Sequence, residues 1–106
     1  MIVLPEPVRF VWDKGNIDKN QVKHGVEPKE AEEVFFDERK VQFKDVWHTT
    51  KKEARYILLG KTKVGRVLFV VYTLRDNLIR VISARDLNKK RELTLYEKAV
   101  KHATSK

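Results

Sequence analysis

Residues 55–84 read RYILLGKTKVGRVLFVVYTLRDNLIRVISA, and this stretch decides the fold. Three runs within it, 55–59, 66–73 and 78–84, are rich in branched and aromatic residues that favour strands. The connections at 60–65 and 75–77 are short and turn-like, and short connections force antiparallel neighbours. Just upstream, Val41, Phe43 and Trp47 alternate with Gln42 and Lys44, which predicts a further strand with one wet face. Outside this block the periodicity is helical. Asp13 suits an N-cap, and a helix is expected over 13–24 with Gly25 as its left-handed stop. Pro28 suits the first position of a second helix, whose apolar stripe is Ala31, Val34 and Phe35. From residue 88 onward, Leu93, Tyr96 and Val100 mark an amphipathic helix. The expected architecture is therefore α+β: two N-terminal helices, an antiparallel sheet of three to four strands and a C-terminal helix. Trp12, Phe35, Phe69 and Leu93 are expected in the core.

The chain has 106 residues, the size of one domain, so a single domain over 1–106 is expected. Its 42% hydrophobic content argues against disorder despite 36% charged residues. The absence of cysteine excludes disulfide frameworks, thiolate zinc sites and cysteine nucleophiles. No apolar run approaches the roughly 20 residues a spanning helix needs. The opening MIVLPEPVRF has neither the basic start nor the apolar length of a signal peptide. A soluble, cytoplasmic protein without membrane contact is the expectation. The net charge of +8 is uneven. Residues 1–60 hold 11 basic and 11 acidic side chains, whereas 61–106 hold 12 and 4. One basic face suits a polyanion or an acidic protein, although a solvated lysine-rich surface has the same composition.

Two long strings resemble the BrnT family of toxins from type II toxin–antitoxin systems. They are FVWDKGNIDKNQVKHGVEPKEAEEVF at 10–35 and ARYILLGKTKVGRVLFVVYTLRDNLIRVISARDLNKKRELTLYE at 54–97. The matching motifs are W-D at 12–13, K-H-G-V at 23–26, V-V-Y-T at 70–73, I-S-A-R at 82–85 and Y-E at 96–97. One departure is Asn16, where family members usually carry lysine. The resemblance implies a RelE-like fold and a metal-independent endoribonuclease that cleaves messenger RNA and inhibits translation. It also implies a cognate, BrnA-like antitoxin as partner. The RNA could be ribosome-associated, and the assembly a dimer or a toxin–antitoxin hetero-oligomer. The alternative is a non-catalytic nucleic-acid- or protein-binding module, a degenerate toxin.

RNA cleavage without metal needs a base for the 2′-hydroxyl, cations on the phosphate and an acid for the leaving oxygen. Arg66, Arg80 and Arg85 are the candidate phosphate ligands, because guanidinium grips two phosphate oxygens at once. Strict strand alternation would put Arg80 and Arg85 on opposite faces, unless a bend re-aims Arg85 at its strand end. His24 is the candidate base or acid; the plainer alternative is a cap on the last helical carbonyls. His24→Ala is then expected to abolish cleavage while the melting temperature barely changes. Tyr72 could stack on a base or donate a proton, or simply lie in the core. Lys23, Asn20 and Glu92 are candidate substrate contacts, with solvation or a salt bridge as the plainer roles. The three histidines and scattered acids give no metal-ligand pattern, so neither metal nor cofactor is expected. Ser83 lacks a histidine–acid pattern to activate it. The decisive expectation is that several guanidinium groups meet beside the His24–Gly25 turn.

Overall fold

The computed structural model describes residues 2–15, 17, 24–87 and 90–104. Its elements are β1 (Phe10–Val11), α1 (Pro28–Glu33) continued by a 3-10 turn at Val34–Phe36, and β2 (Val41–Lys44). β3 (Arg55–Lys61), β4 (Val67–Arg75), β5 (Leu78–Asp86) and α2 (Lys90–Thr104) follow. Strands β2 to β5 form an antiparallel meander. The β4–β5 connection is a two-residue hairpin turn in which Asp76 and Asn77 both adopt positive φ, 52° and 62°. That backbone twist matches the twist of the flanking strands, and Asp and Asn tolerate it better than most side chains.

The expected RelE-like arrangement of two N-terminal helices on an antiparallel sheet of three to four strands is overturned. The sheet is five-stranded and mixed, in the order β1-β5-β4-β3-β2. Phe10 and Val11 run parallel to β5 opposite Ile79 and Arg80, and the Ile79 amide donates to the Arg9 carbonyl at 2.8 Å. A strand of two residues has no visible periodicity, and its partner lies almost seventy positions away. The α-helices with both ends among the described residues are α1 and α2, one on either side of the meander in sequence. Of the helix expected over 13–24, Lys14, Gly15, Ile17 and His24 are helical, and residues 16 and 18–23 lie outside the described ones. β2 is also shorter than expected. Asp45 leaves the ladder to hold a turn, accepting from the Thr49 amide and hydroxyl on its carbonyl, and Trp47 leaves with it.

The sheet buries one face fully. Leu58, Leu68, Val70, Tyr72, Ile79, Val81 and Ala84 pack against Val26, Ala31, Val34 and Phe35 from the α1 region. Leu4, Val8, Phe10 and Trp12 close the edge of this core. Gly60 sits where α1 meets the sheet: a Cβ there would lie 2.7 Å from the Val34 carbonyl oxygen. The opposite face carries a smaller cluster of Leu59, Leu87 and Tyr96 beneath α2. Among the described side chains of α2, Tyr96 rather than Leu93 packs inward. Leu93 is 37% exposed, which corrects its expected place in the core. The Tyr96 hydroxyl donates to Asp37 Oδ2 at 2.6 Å and so ties α2 to the loop after α1. Burial alone would raise the Asp37 carboxyl, but the Tyr96 hydroxyl and the Arg39 and Lys61 amides together bring it below its ordinary value.

Candidate functional site

A bulge in β5 sets the geometry of the arginines. Val71 pairs with Ser83 but Tyr72 pairs with Val81, so Ile82 is an extra residue. Ile79, Val81 and Ala84 are consequently the buried positions of β5. The bulge inverts the alternation, and Arg80 and Arg85 share the face turned away from the main core. Regular alternation would have separated them.

Sharing a face does not bring them together. Arg80 lies opposite Thr73 and Arg85 opposite Phe69, four positions apart on β4 and so separated by roughly 13 Å along the strand. Arg80 binds Asp13 Oδ2 at 2.8 Å. Ile82 and Ser83 occupy β5 between the two arginines.

Arg66 and Arg85, by contrast, both touch Asp86, one at its side chain and the other at its backbone. Arg66 donates to both Asp86 carboxylate oxygens, at 2.6 and 3.1 Å, and Arg85 donates to the Asp86 carbonyl at 3.1 Å. Arg66 also reaches Glu30 at 3.2 Å and donates to the carbonyls of Gly25 and His24 at 2.9 and 3.0 Å. It thereby clamps the turn at Gly25, whose φ is +62°. Arg85 is gripped by both Glu92 oxygens, at 3.2 and 2.9 Å, and its guanidinium carbon lies 4.1 Å from the Phe69 ring centroid. Hydrogen bonding to Asp86 holds the Arg66 guanidinium more firmly protonated than usual. Reciprocally, Arg66 first, with a smaller contribution from the charge of His24, holds Asp86 below the usual carboxylate range.

One end of the sheet therefore carries Arg66, beside the His24–Gly25 turn on the α1 side, and Arg85 with Glu92 on the α2 side, while Arg80 stays apart. Tyr72 also stays apart. It is fully buried, its ring stacks on Tyr56 at 5.4 Å between centroids, and its hydroxyl donates to Gln42. Burial pushes the phenol well above its ordinary pKa, so Tyr72 reads as a core residue. Lys23, Asn20 and the divergent Asn16 lie outside the described residues. Asp86 is the residue sequence reasoning missed. An aspartate directly after I-S-A-R at a strand end was the available signal, but nothing local reveals that two arginines meet there. Among the described residues, no three His, Asp or Glu side chains gather as a metal site would need.

With this geometry in place, comparison with known proteins is informative. The family described as "Ribonuclease toxin, BrnT, of type II toxin-antitoxin system" matches residues 12–91, most of the chain. The chain belongs to the BrnT family. Its function at that level is the family's: a ribonuclease toxin of a type II toxin–antitoxin system, which implies an antitoxin partner and an RNA substrate. The crystal structure of the Brucella abortus ribonuclease toxin BrnT superposes with a TM-score of 0.58 at 19% identity, over 77% of this chain and 99% of that one. At that identity the likeness speaks for the fold. No curated protein matches the chain by sequence. No helix among the described residues is long and apolar enough to cross a membrane.

Proposed function

We propose that this BrnT-family chain is a metal-independent endoribonuclease that cleaves messenger RNA and so inhibits translation. The observation that carries the reading is that Arg66, at the turn that bears His24, and Arg85 both reach Asp86 at the end of β5, Arg66 its carboxylate and Arg85 its carbonyl. In this reading a scissile phosphate takes the place of a carboxylate on the two guanidinium groups. His24 removes the 2′-hydroxyl proton, the 2′-oxygen attacks phosphorus, and the bond to the 5′-oxygen breaks. That oxygen leaves with a proton from solvent, to which His24 returns the one it took, giving a 2′,3′-cyclic phosphate and a 5′-hydroxyl. Arg66 and Arg85 stabilise the extra charge on the phosphoryl oxygens, the step for which preorganised donors count most. Glu92 and Asp86 hold the guanidinium groups before substrate arrives, and the incoming phosphate displaces them. Lys23 and Asn20, which precede His24 in sequence, supply further contacts to the substrate. The antitoxin, of BrnA type, neutralises the toxin by covering this basic end in a hetero-oligomer, and the cytoplasm is the site of action.

The test is cleavage of a defined messenger RNA in excess EDTA. Retained cleavage with a cyclic-phosphate end supports the reading; a requirement for divalent cation overturns it. His24→Ala sharpens the test, because Arg66 binds the backbone carbonyl of His24 rather than its ring. The variant is expected to keep its melting temperature and lose cleavage. Full activity in a folded variant removes His24 from the mechanism.

A further inference from the structure

The half-covered face of the sheet has a feature that neither the cleavage chemistry nor the core uses. Trp47 is 89% exposed, on the turn where β2 ends. A single exposed apolar residue is ordinary on a protein surface. This one, however, borders a groove of about 370 Å³ whose lining includes Ile57, Phe69, Val71 and Ile82. An indole beside a contiguous apolar floor marks a contact surface.

The turn beneath it is firmly built. His48 Nδ1 lies 2.8 Å from Asp45 Oδ2, the Thr49 hydroxyl donates to the Asp45 carbonyl at 2.7 Å, and the same hydroxyl accepts from the Arg55 amide at 3.0 Å. Asp45 itself is only 6% exposed. The indole is therefore presented on an anchored turn, with Arg55 also lining the groove. At its other end the groove shares Phe69 with the candidate phosphate site, since Arg85 lies over that ring. A ligand with a planar apolar ring and an adjoining negative charge fits both halves at once.

We infer that the groove between Trp47 and Phe69 is a nucleobase subsite, in which an unpaired base of single-stranded RNA stacks on the Trp47 indole beside a phosphate held at Arg85. The inference rests on the proposed reading of Arg85 as a phosphate ligand. It assigns the groove to RNA rather than to a protein segment because the flat aromatic platform adjoins guanidinium groups, the pairing that single-strand binders use. Recognition by stacking is tolerant of sequence, so the subsite adds affinity more than it selects one base.

The test is binding of a 2′-O-methyl hexanucleotide, which cannot be cleaved because it has no free 2′-hydroxyl, read by fluorescence anisotropy. Trp47→Ala is expected to weaken binding roughly tenfold, the usual scale for losing one stacked base. Trp47→Phe keeps a stacking ring and is expected to recover most of that loss. A hexamer without bases is expected to bind the wild-type chain and Trp47→Ala equally. Unchanged hexanucleotide affinity in a folded Trp47→Ala variant overturns the subsite alone and leaves the groove to a protein partner. Failure of the wild-type chain to bind the hexanucleotide at all overturns both the subsite and the ribonuclease reading on which it rests.

Discussion

The two faces of one sheet are finished differently. Toward α1, Leu68, Val70 and Tyr72 of β4 and Ile79, Val81 and Ala84 of β5 are sealed from water, and the N-terminal segment closes the edge. Toward α2, the buried hydrophobic cluster among the described residues is Leu59, Leu87 and Tyr96, and beyond the helix an apolar groove edged by Arg55 stays open. The same strands supply both faces, so strand propensity does not account for the contrast. What differs is the cover. The α1 region, with its 3-10 extension, brings four fully buried side chains to its face, whereas α2 brings Tyr96 and the pair Glu92–Arg85. One face holds the molecule together. The other is left with partly exposed charged groups in fixed positions, as the proposed binding of RNA requires.

Substitutions can break this comparison. The largest effect is expected from neighbouring positions on β3. Leu58→Ala, on the sealed face, should cost about 2–5 kcal/mol in urea denaturation, because it leaves a cavity the packed core cannot close. Ile57→Ala, one residue away on the open face, should cost less than half as much; equal losses would show that the two faces are equally packed. Next comes Arg85→Lys, which keeps the charge but not the fork. Cleavage is expected to fall about 10²–10³-fold, the scale for removing one transition-state donor, with little change in melting temperature. Near-normal turnover would take Arg85 out of the reaction. Tyr96→Phe, which cuts the tie between α2 and Asp37, should cost about 1–2 kcal/mol and raise amide exchange in α2 before the sheet.

The smallest effect is a pH dependence. Asp37 titrates in the folded chain below its unfolded value of about 3.9, so the stability it contributes is complete above that value and lost as pH falls through the folded one. The stability gap between the wild-type chain and Asp37→Asn should therefore narrow below about pH 4. A gap that stays constant down to pH 2 would show that the carboxylate charge adds nothing to the tie.

The meander was legible because its signals are local. Alternation along 66–73 and 78–84, and the Asp76–Asn77 turn, act over a few residues and need no distant partner. Pro28 and Gly25 were legible for the same reason, since each fits a backbone geometry that few other residues tolerate. β1 was hidden because two residues become a strand only when Ile79 is beside them. The candidate site was half legible. Arg66, Arg85, His24 and Glu92 stand out by residue type, whereas the roles of Asp86, Tyr72 and Arg80 depend on what surrounds each one. Tyr72 looks like a candidate for chemistry in the string V-V-Y-T, yet the inward phase of β4 buries it against Phe35 and Tyr56.

By itself the sequence determined where the chain is extended, where it turns, which half carries the charge, and the family whose motifs it bears. Tertiary structure alone decided which side chains meet. The extra residue at Ile82 turns Arg80 and Arg85 to one face, and the closing of β4 on β5 brings Arg66 to Asp86. The physical reason is range: propensity and alternation act between residues a few positions apart. A bulge, by contrast, is defined by the partner strand, and an ion pair by two groups that folding alone makes neighbours.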